Sequence, residues 1–327
     1  MKKRRVATGL LAGCAMLAII LDGKTALSSA QEGIVLCQQT VIPSLFPFFV
    51  LSGIVTSSLI GQNLGIFRCL GRFCKIPQGT ESLLLIGFLS GYPAGAQLVT
   101  QSYNNGALTR TSAQRMLGFC NNAGPAFIFG MLGPMFSAWY IPWTLWGIHI
   151  AGALLAALML SGELSCSQIS KNKNTFHNIF RQSIVNIATV CGWVIIFRII
   201  IGFCSRWFLW IMPTTAQVLL SGILELSNGC VSMLQIPNEG LRFILAGFML
   251  SFGGLCVMMQ TKSVTSGLGF GSYFPGKAIQ LLFTITACCI LQRLLFPLEH
   301  QFSLHKWTIP VLLIVTITAV ITIRKKL

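Results

Sequence analysis

The chain has 327 residues, 54% of them apolar and only 9% charged, with 12 cysteines and a formal net charge of +16. A soluble globular domain carries about a quarter charged residues, so the composition excludes one and points to an all-α polytopic membrane protein. The positive charge does not mark a nucleic-acid partner, because the lysines and arginines are scattered over short stretches between apolar runs, where the basic bias of cytoplasmic loops accounts for them.

Met1-Lys-Lys-Arg-Arg5 followed by the apolar run Val6–Leu21 resembles a secretory signal, but the run is long and no A-x-A site precedes Asp22 at the usual distance. It is read as an uncleaved first helix with its basic end inside. Asp22, Lys24 and Glu32 fall in an expected outer loop. A second helix over about 34–60 carries Pro43 and Pro47 and should kink. It leads into a basic loop with Arg68, Arg72 and Lys75. The apolar segment 81–101 is interrupted by Gly91-Tyr-Pro-Ala-Gly95. Each arm has about ten residues, too few to span a bilayer, and basic segments flank it on both sides, the second holding Arg110 and Arg115. The segment is either a re-entrant hairpin that enters and leaves on one face, the favoured reading, or a full span with one mis-sided loop. Gly87, Gly91 and Gly95 recur every four residues, as a close-packing stripe would.

Helix three, about 116–137, is broken at Asn121-Asn-Ala-Gly-Pro125. Helix four, 143–160, has Trp139, Tyr140, Trp143 and Trp146 at its outer end, in the manner of an aromatic belt. A loop with Lys171, Lys173 and Arg181 follows. The second half repeats the layout: helix five at 184–203, a second hairpin broken at Leu226-Ser-Asn-Gly229, helix six at 243–259 broken at Gly253-Gly254, and helix seven at 278–296. Helix eight, 307–323, precedes the basic tail Arg324-Lys-Lys-Leu327. About eight transmembrane helices plus two hairpins follow, with both termini cytoplasmic and most of the 23 lysines and arginines on that side. The second hairpin then enters from the opposite face, so 34–160 and 184–296 read as inverted gate repeats, between an N-terminal unit 1–33, a basic loop 161–183 and a C-terminal helix and tail 297–327. Inverted repeats with discontinuous helices meeting at mid-membrane are an alternating-access design.

The polar residues at the breaks, Tyr92, Asn121, Asn122, Ser227, Asn228 and Gln260, suit orientation-specific hydrogen bonds to a small substrate, and equally suit bonds between helices. Gly91, Gly95, Gly229, Gly253 and Gly254 mark the hairpins and breaks. Intramembrane charges are costly and usually face a cavity or a partner. Glu225 either binds a coupling proton or sodium ion or pairs with Arg198; Arg198 either meets an anionic substrate or neutralises Glu225. Lys277, before Gln280, is expected to snorkel to the interface. His149, His177, His300 and His305 are isolated and receive no role. The cysteines form no C-x-x-C pair and sit near no histidine cluster, so no metal, cofactor or disulfide framework is expected. No G-x-S-x-G, H-E-x-x-H or P-loop motif is present, which argues against an enzyme and against ATP-driven transport.

Five motifs in order carry a resemblance: Gly-Tyr-Pro-Ala-Gly-Ala (91–96), Thr-Arg-Thr-Ser-Ala-Gln-Arg-Met-Leu (109–117), Asn-Asn-Ala-Gly-Pro-Ala-Phe-Ile (121–128), Glu-Leu-Ser-Asn-Gly (225–229) and Ser-Phe-Gly-Gly-Leu-Cys-Val (251–257). Together they resemble the sporulation integral membrane protein family typified by YlbJ, part of the wider nucleoside-recognition or gate group. The resemblance covers about 30–320. It implies a layout similar to concentrative nucleoside transporters, with hairpins and inverted repeats, and a role in moving dipicolinic acid across the outer forespore membrane of endospore formers. The expected function is therefore secondary, elevator-like transport of a small organic anion in the cell or outer forespore membrane, with dipicolinate as first substrate. A nucleoside carrier, or a non-transporting scaffold or signalling protein of sporulation, is the alternative. The expected partners are that anion, the bilayer, a proton or sodium ion, and a second copy in a homo-oligomer.

Overall fold

The computed structural model describes residues 2–59, 65–76, 80–160, 175–265 and 267–297. Helix eight, the basic tail, Lys171, Lys173, His300 and His305 lie outside them. The described residues are helical with no strand. In order they form α1 (Lys2–Leu21), α2 (Gly23–Leu36), a π-turn (Cys37–Val41), α3 (Ile42–Leu59), α4 (Gly65–Phe73), α5 (Glu81–Leu89), α6 (Ala94–Asn104), α7 (Arg110–Cys120), α8 (Pro125–Phe127), α9 (Tyr140–Met159), α10 (Phe176–Trp207), α11 (Thr214–Leu224), α12 (Leu226–Ser232), α13 (Glu239–Phe252), α14 (Gly254–Val264) and α15 (Tyr273–Leu295).

Among the described residues, five stretches are long and apolar enough to cross a membrane: Gly23–Val55, Tyr140–Met159, Phe176–Trp207, Glu239–Val264 and Tyr273–Leu295. This is an integral membrane protein. The expected count of eight spans is not confirmed among the described residues. Only Ala12–Leu21 of the first helix is apolar enough to count, and it is short. Helix three is split into α7 and α8, and helix eight falls outside the description. Many large apolar side chains remain exposed on α2, α3 and α10, Leu27, Ile34, Leu51, Ile184 and Ile196 among them, as lipid-facing surfaces require.

The outer loop expected at 22–33 is helix instead. Asp22 caps α2, its carboxylate accepting from Thr25 N at 3.2 Å, and the alanines, serines and glutamine that follow extend the helix to the π-turn. α2, the π-turn and α3 run on from Gly23 to Leu59 with Pro47 inside. The 32-residue α10 packs along both α2 and α3. At 1.5 Å per residue it is about 48 Å long, more than the ~30 Å hydrocarbon core, so it tilts or projects. These long helices make a slab. α9, α13 and α15 pack together as a second group, and the short split helices lie between the two.

Each half runs long helix, split pair, split pair, long helix: α3, α5/α6, α7/α8, α9, then α10, α11/α12, α13/α14, α15. The packing repeats too. α3 meets α5 and α8 as α10 meets α11 and α14; α5 meets α7 as α11 meets α13; α7 meets α9 as α13 meets α15; and between halves α7 packs on α15 as α13 packs on α9.

The first two breaks fall where the sequence placed them, at Ser90–Pro93 and Asn121–Gly124. The fourth is at Gly253 and Gly254, whose φ values of +78° and +79° are left-handed, a region open to glycine and strained for other residues. The third is displaced. It sits at Glu225 rather than at 226–229, because the Glu225 side chain caps α12 and draws Ser227, Asn228 and Gly229 into its first turns. The glycine stripe is a packing face: a Cβ on Gly87 or Gly95 would overlap the Cys120 carbonyl oxygen at the end of α7.

Candidate functional site

The four breaks meet. A Cβ on Gly124 would lie 2.8 Å from Gly91 N, so the first two breaks touch backbone to backbone. A Cβ on Gly254 would lie 3.1 Å from Gly222 O and 3.3 Å from Leu226 N, so the third and fourth touch likewise. Tyr92 joins the pairs. Its Oη donates to Leu250 O at 2.9 Å, one turn before the fourth break, and its ring lies against Gly253. Gly91, Tyr92, Ala123, Gly124, Glu225, Ser227 and Gln260 surround a cavity of about 30 Å³, closed on the slab side by Val190 and Val194 of α10. That is room for a water or two.

Of the residues expected at the site, Tyr92, Glu225, Ser227, Gln260 and Gly91 line this cavity. Asn121, Asn122 and Asn228 are buried beside it and spend their amides on the fold. Asn121 Nδ2 donates to Thr261 Oγ1 of α14 at 2.8 Å, while its Oδ1 is buried without a hydrogen-bond partner. Asn122 Nδ2 donates to Phe119 O at 2.6 Å. Asn228 Nδ2 donates to Glu225 Oε2 at 2.8 Å. Gly95 and Gly229 sit within α6 and α12 as packing glycines, Gly229 tight against Gly222.

Glu225 is fully engaged. Oε1 accepts from Ser227 N at 3.0 Å, and Oε2 accepts from Asn228 N at 2.6 Å as well as from the Asn228 amide. The N-terminus of α12 therefore already holds a carboxylate, its own. Arg198 does not reach Glu225. It forms an ion pair with Glu32 of α2 and lines a recess of about 470 Å³ with Asp22, Lys24 and Arg206. The expected Arg198–Glu225 pair is thereby corrected: Glu32, placed on helix rather than in a loop, captures the guanidinium.

Lys277 was expected at the interface and is buried, 7% exposed. Its Nζ donates to Tyr92 Oη at 3.2 Å and to Gln280 Oε1 at 2.9 Å, and lies 5.0 Å from the centre of the Tyr92 ring. Gln280 Nε2 in turn donates to Asn122 Oδ1 at 3.0 Å and to His149 O at 3.0 Å, and His149 Nε2 accepts from Ala123 N at 3.1 Å. This network ties α9 and α15 to both breaks of the first half. Arg115, read as a loop residue, is also buried, its guanidinium donating to Cys74 O and Ala157 O. Sequence reasoning missed Lys277, Gln280, His149 and Thr261 as parts of the site. The readable signal was Lys277-x-x-Gln280, two polar residues one turn apart in an apolar helix. Among the described residues no three His, Cys, Asp or Glu side chains gather as a metal site.

No family model matches the chain, and no solved structure matches it. Among curated proteins it is similar to the sporulation integral membrane protein YlbJ of Bacillus subtilis (strain 168), with 23% identity over 338 aligned residues that cover 86% of this chain and 81% of the relative. The chain thus resembles the YlbJ-like sporulation integral membrane proteins over most of its length.

Proposed function

We propose that the protein is a secondary, elevator-like transporter of a small organic anion, with dipicolinate as the substrate to test first. One observation carries the reading: three helix breaks line one cavity and the fourth packs on its Tyr92, which also holds a buried ammonium group that bonds only neutral partners among the described residues. Non-helical backbone within a bilayer is tolerated where it lines a cavity, and a buried cation marks a substrate or ion path by default. Lys277 takes the role expected of Arg198, attracting the anion toward the break lined by Tyr92. Glu225 is the carboxylate to which a coupling proton or sodium ion would bind. The repeated packing of the two halves is what a pair of repeats would give, and the sporulation relative favours a role in spore formation. Vesicles carrying the protein should take up or release labelled dipicolinate in a protein-dependent way. Absence of such flux overturns the substrate, and competition by nucleosides but not by dipicolinate would favour a nucleoside carrier.

A scaffold reading has one observation in its favour: most polar groups at the breaks bond one another. Under it, Asn121→Ala and Asn228→Ala lower stability while any flux per folded molecule stays unchanged. Under the transport reading, flux falls as well.

A further inference from the structure

We propose that the groove between α3, α6 and α10 is an outer subsite for a small organic acid, holding its carboxylates through neutral amide groups before they reach the central cavity. The ligand class rests on the transporter reading above; the groove rests on separate observations. It encloses about 180 Å³, against about 30 Å³ between the breaks. Gln97 and Gln101 of α6 and Asn105 at its C-cap recur every four residues, Asn178, Gln182 and Asn186 recur every four on α10, and both rows line the groove. Residues four apart share a helix face, with rungs about 6 Å apart along the axis. Among the described residues no charged side chain lines the groove.

Amides between packed membrane helices normally bond one another. Here Gln182 Nε2 donates to Asn186 Oδ1 at 3.1 Å, whereas the amides of Gln97 and Gln101 bond no other group among the described residues. Gln97, Gln101 and Gln182 are half-buried and Asn105 and Asn178 exposed, so the amides that line the groove are open to water or to a polar solute that enters it. A fixed charge would hold an anion tightly, whereas amide N–H groups bind a carboxylate with bonds that exchange easily. The inner end of the groove is formed by Ser90 and Ala94. These flank the first break, whose Gly91 and Tyr92 line the central cavity. One tight turn, residues 90–93, therefore separates the neutral groove from the site beside Glu225 and Lys277.

The test uses the full chain in membrane vesicles, with cysteine placed at Gln101 or at Gln182 and alkylated by a membrane-impermeant maleimide, the unsubstituted protein giving the background. Both positions should label, and saturating dipicolinate should slow labelling several-fold. The double change Gln101→Leu with Gln182→Leu should raise KM for dipicolinate flux by about tenfold with little change in maximal rate. Failure of both positions to label overturns the groove as an aqueous site. Labelling indifferent to dipicolinate in a protein that carries it, or an unchanged KM in the leucine pair, overturns the subsite. Protection by dipicolinate in a protein that shows no flux upholds the subsite and overturns transport instead; neither protection nor flux overturns both.

Discussion

Lys277 sits in the second turn of α15 with its ammonium against the Tyr92 hydroxyl and the Gln280 carbonyl. Burying a cation without a neighbouring carboxylate costs several kcal/mol even after relaxation, more than the roughly 1–3 kcal/mol of leaving its acceptors short of a donor. Lys277→Met should therefore leave the melting temperature unchanged or higher while reducing anion flux by about tenfold or more. A lower melting temperature with normal flux per folded molecule would assign Lys277 to structure alone. Glu225 gives the opposite sign. Both its oxygens accept from N–H groups, so in Glu225→Gln one of them becomes an NH2 facing a donor. The change should cost about 2 kcal/mol, read as a lower melting temperature. Loss of proton or sodium dependence in the surviving flux would separate coupling from capping. At this scale the sequence was only partly legible. That Glu225 and Arg198 are costly in a bilayer follows from residue type alone. Their partners do not, because Glu32 meets Arg198 across 166 positions and only because residues 23–36 form a helix, capped by Asp22, that packs on α10.

At the scale of elements, the breaks are set by local chemistry, and that is why most were readable. Asn-Asn-Ala-Gly-Pro ends α7 because proline cannot continue it and tolerates an N1 position in α8. Gly253 and Gly254 end α13 because their φ values of +78° and +79° suit glycine. Alanine at either position should cost about 1–2 kcal/mol of backbone strain. The cost should be greater at Gly254, where the new Cβ would also crowd Gly222 O at 3.1 Å and Leu226 N at 3.3 Å. Thermal unfolding in detergent would check both the drop and its order; negligible drops would mean the left-handed turn is not what holds this break, and equal drops that crowding at Gly254 adds nothing. The third break was misplaced by one residue because a side chain, Glu225, and not a glycine or proline, defines it. Compositional breakers mark where a helix stops. A cap reaching back over its own helix shifts that boundary in a way that composition does not register.

For the whole molecule, transport by an elevator motion requires two bodies that move relative to each other, and the packing suggests where they divide: the slab of α2, α3 and α10 on one side, the split helices with α9, α13 and α15 on the other. Two engineered disulfides test that division. A Cβ on Gly130, in the segment after α8, would lie 3.6 Å from Ser44 Cβ on α3, within the Cβ–Cβ range of about 3.5–4.5 Å that a disulfide needs. A Cβ on Gly247 of α13 would lie 3.6 Å from the Cβ of the native Cys288 on α15. Ser44→Cys with Gly130→Cys links slab to core, whereas Gly247→Cys closes a bond inside the core. Oxidation of the first pair should reduce flux by roughly tenfold or more, with recovery on reduction, because in the proposed elevator motion between bodies carries the solute. The second should form as readily and leave flux close to that of the reduced protein. Equal effects of the two bonds would mean that the molecule does not move as these two bodies. Full flux through an oxidised Ser44→Cys and Gly130→Cys protein would mean that α3 and the segment after α8 travel together, and that the boundary lies at the break-lined cavity itself, between α10 and α14.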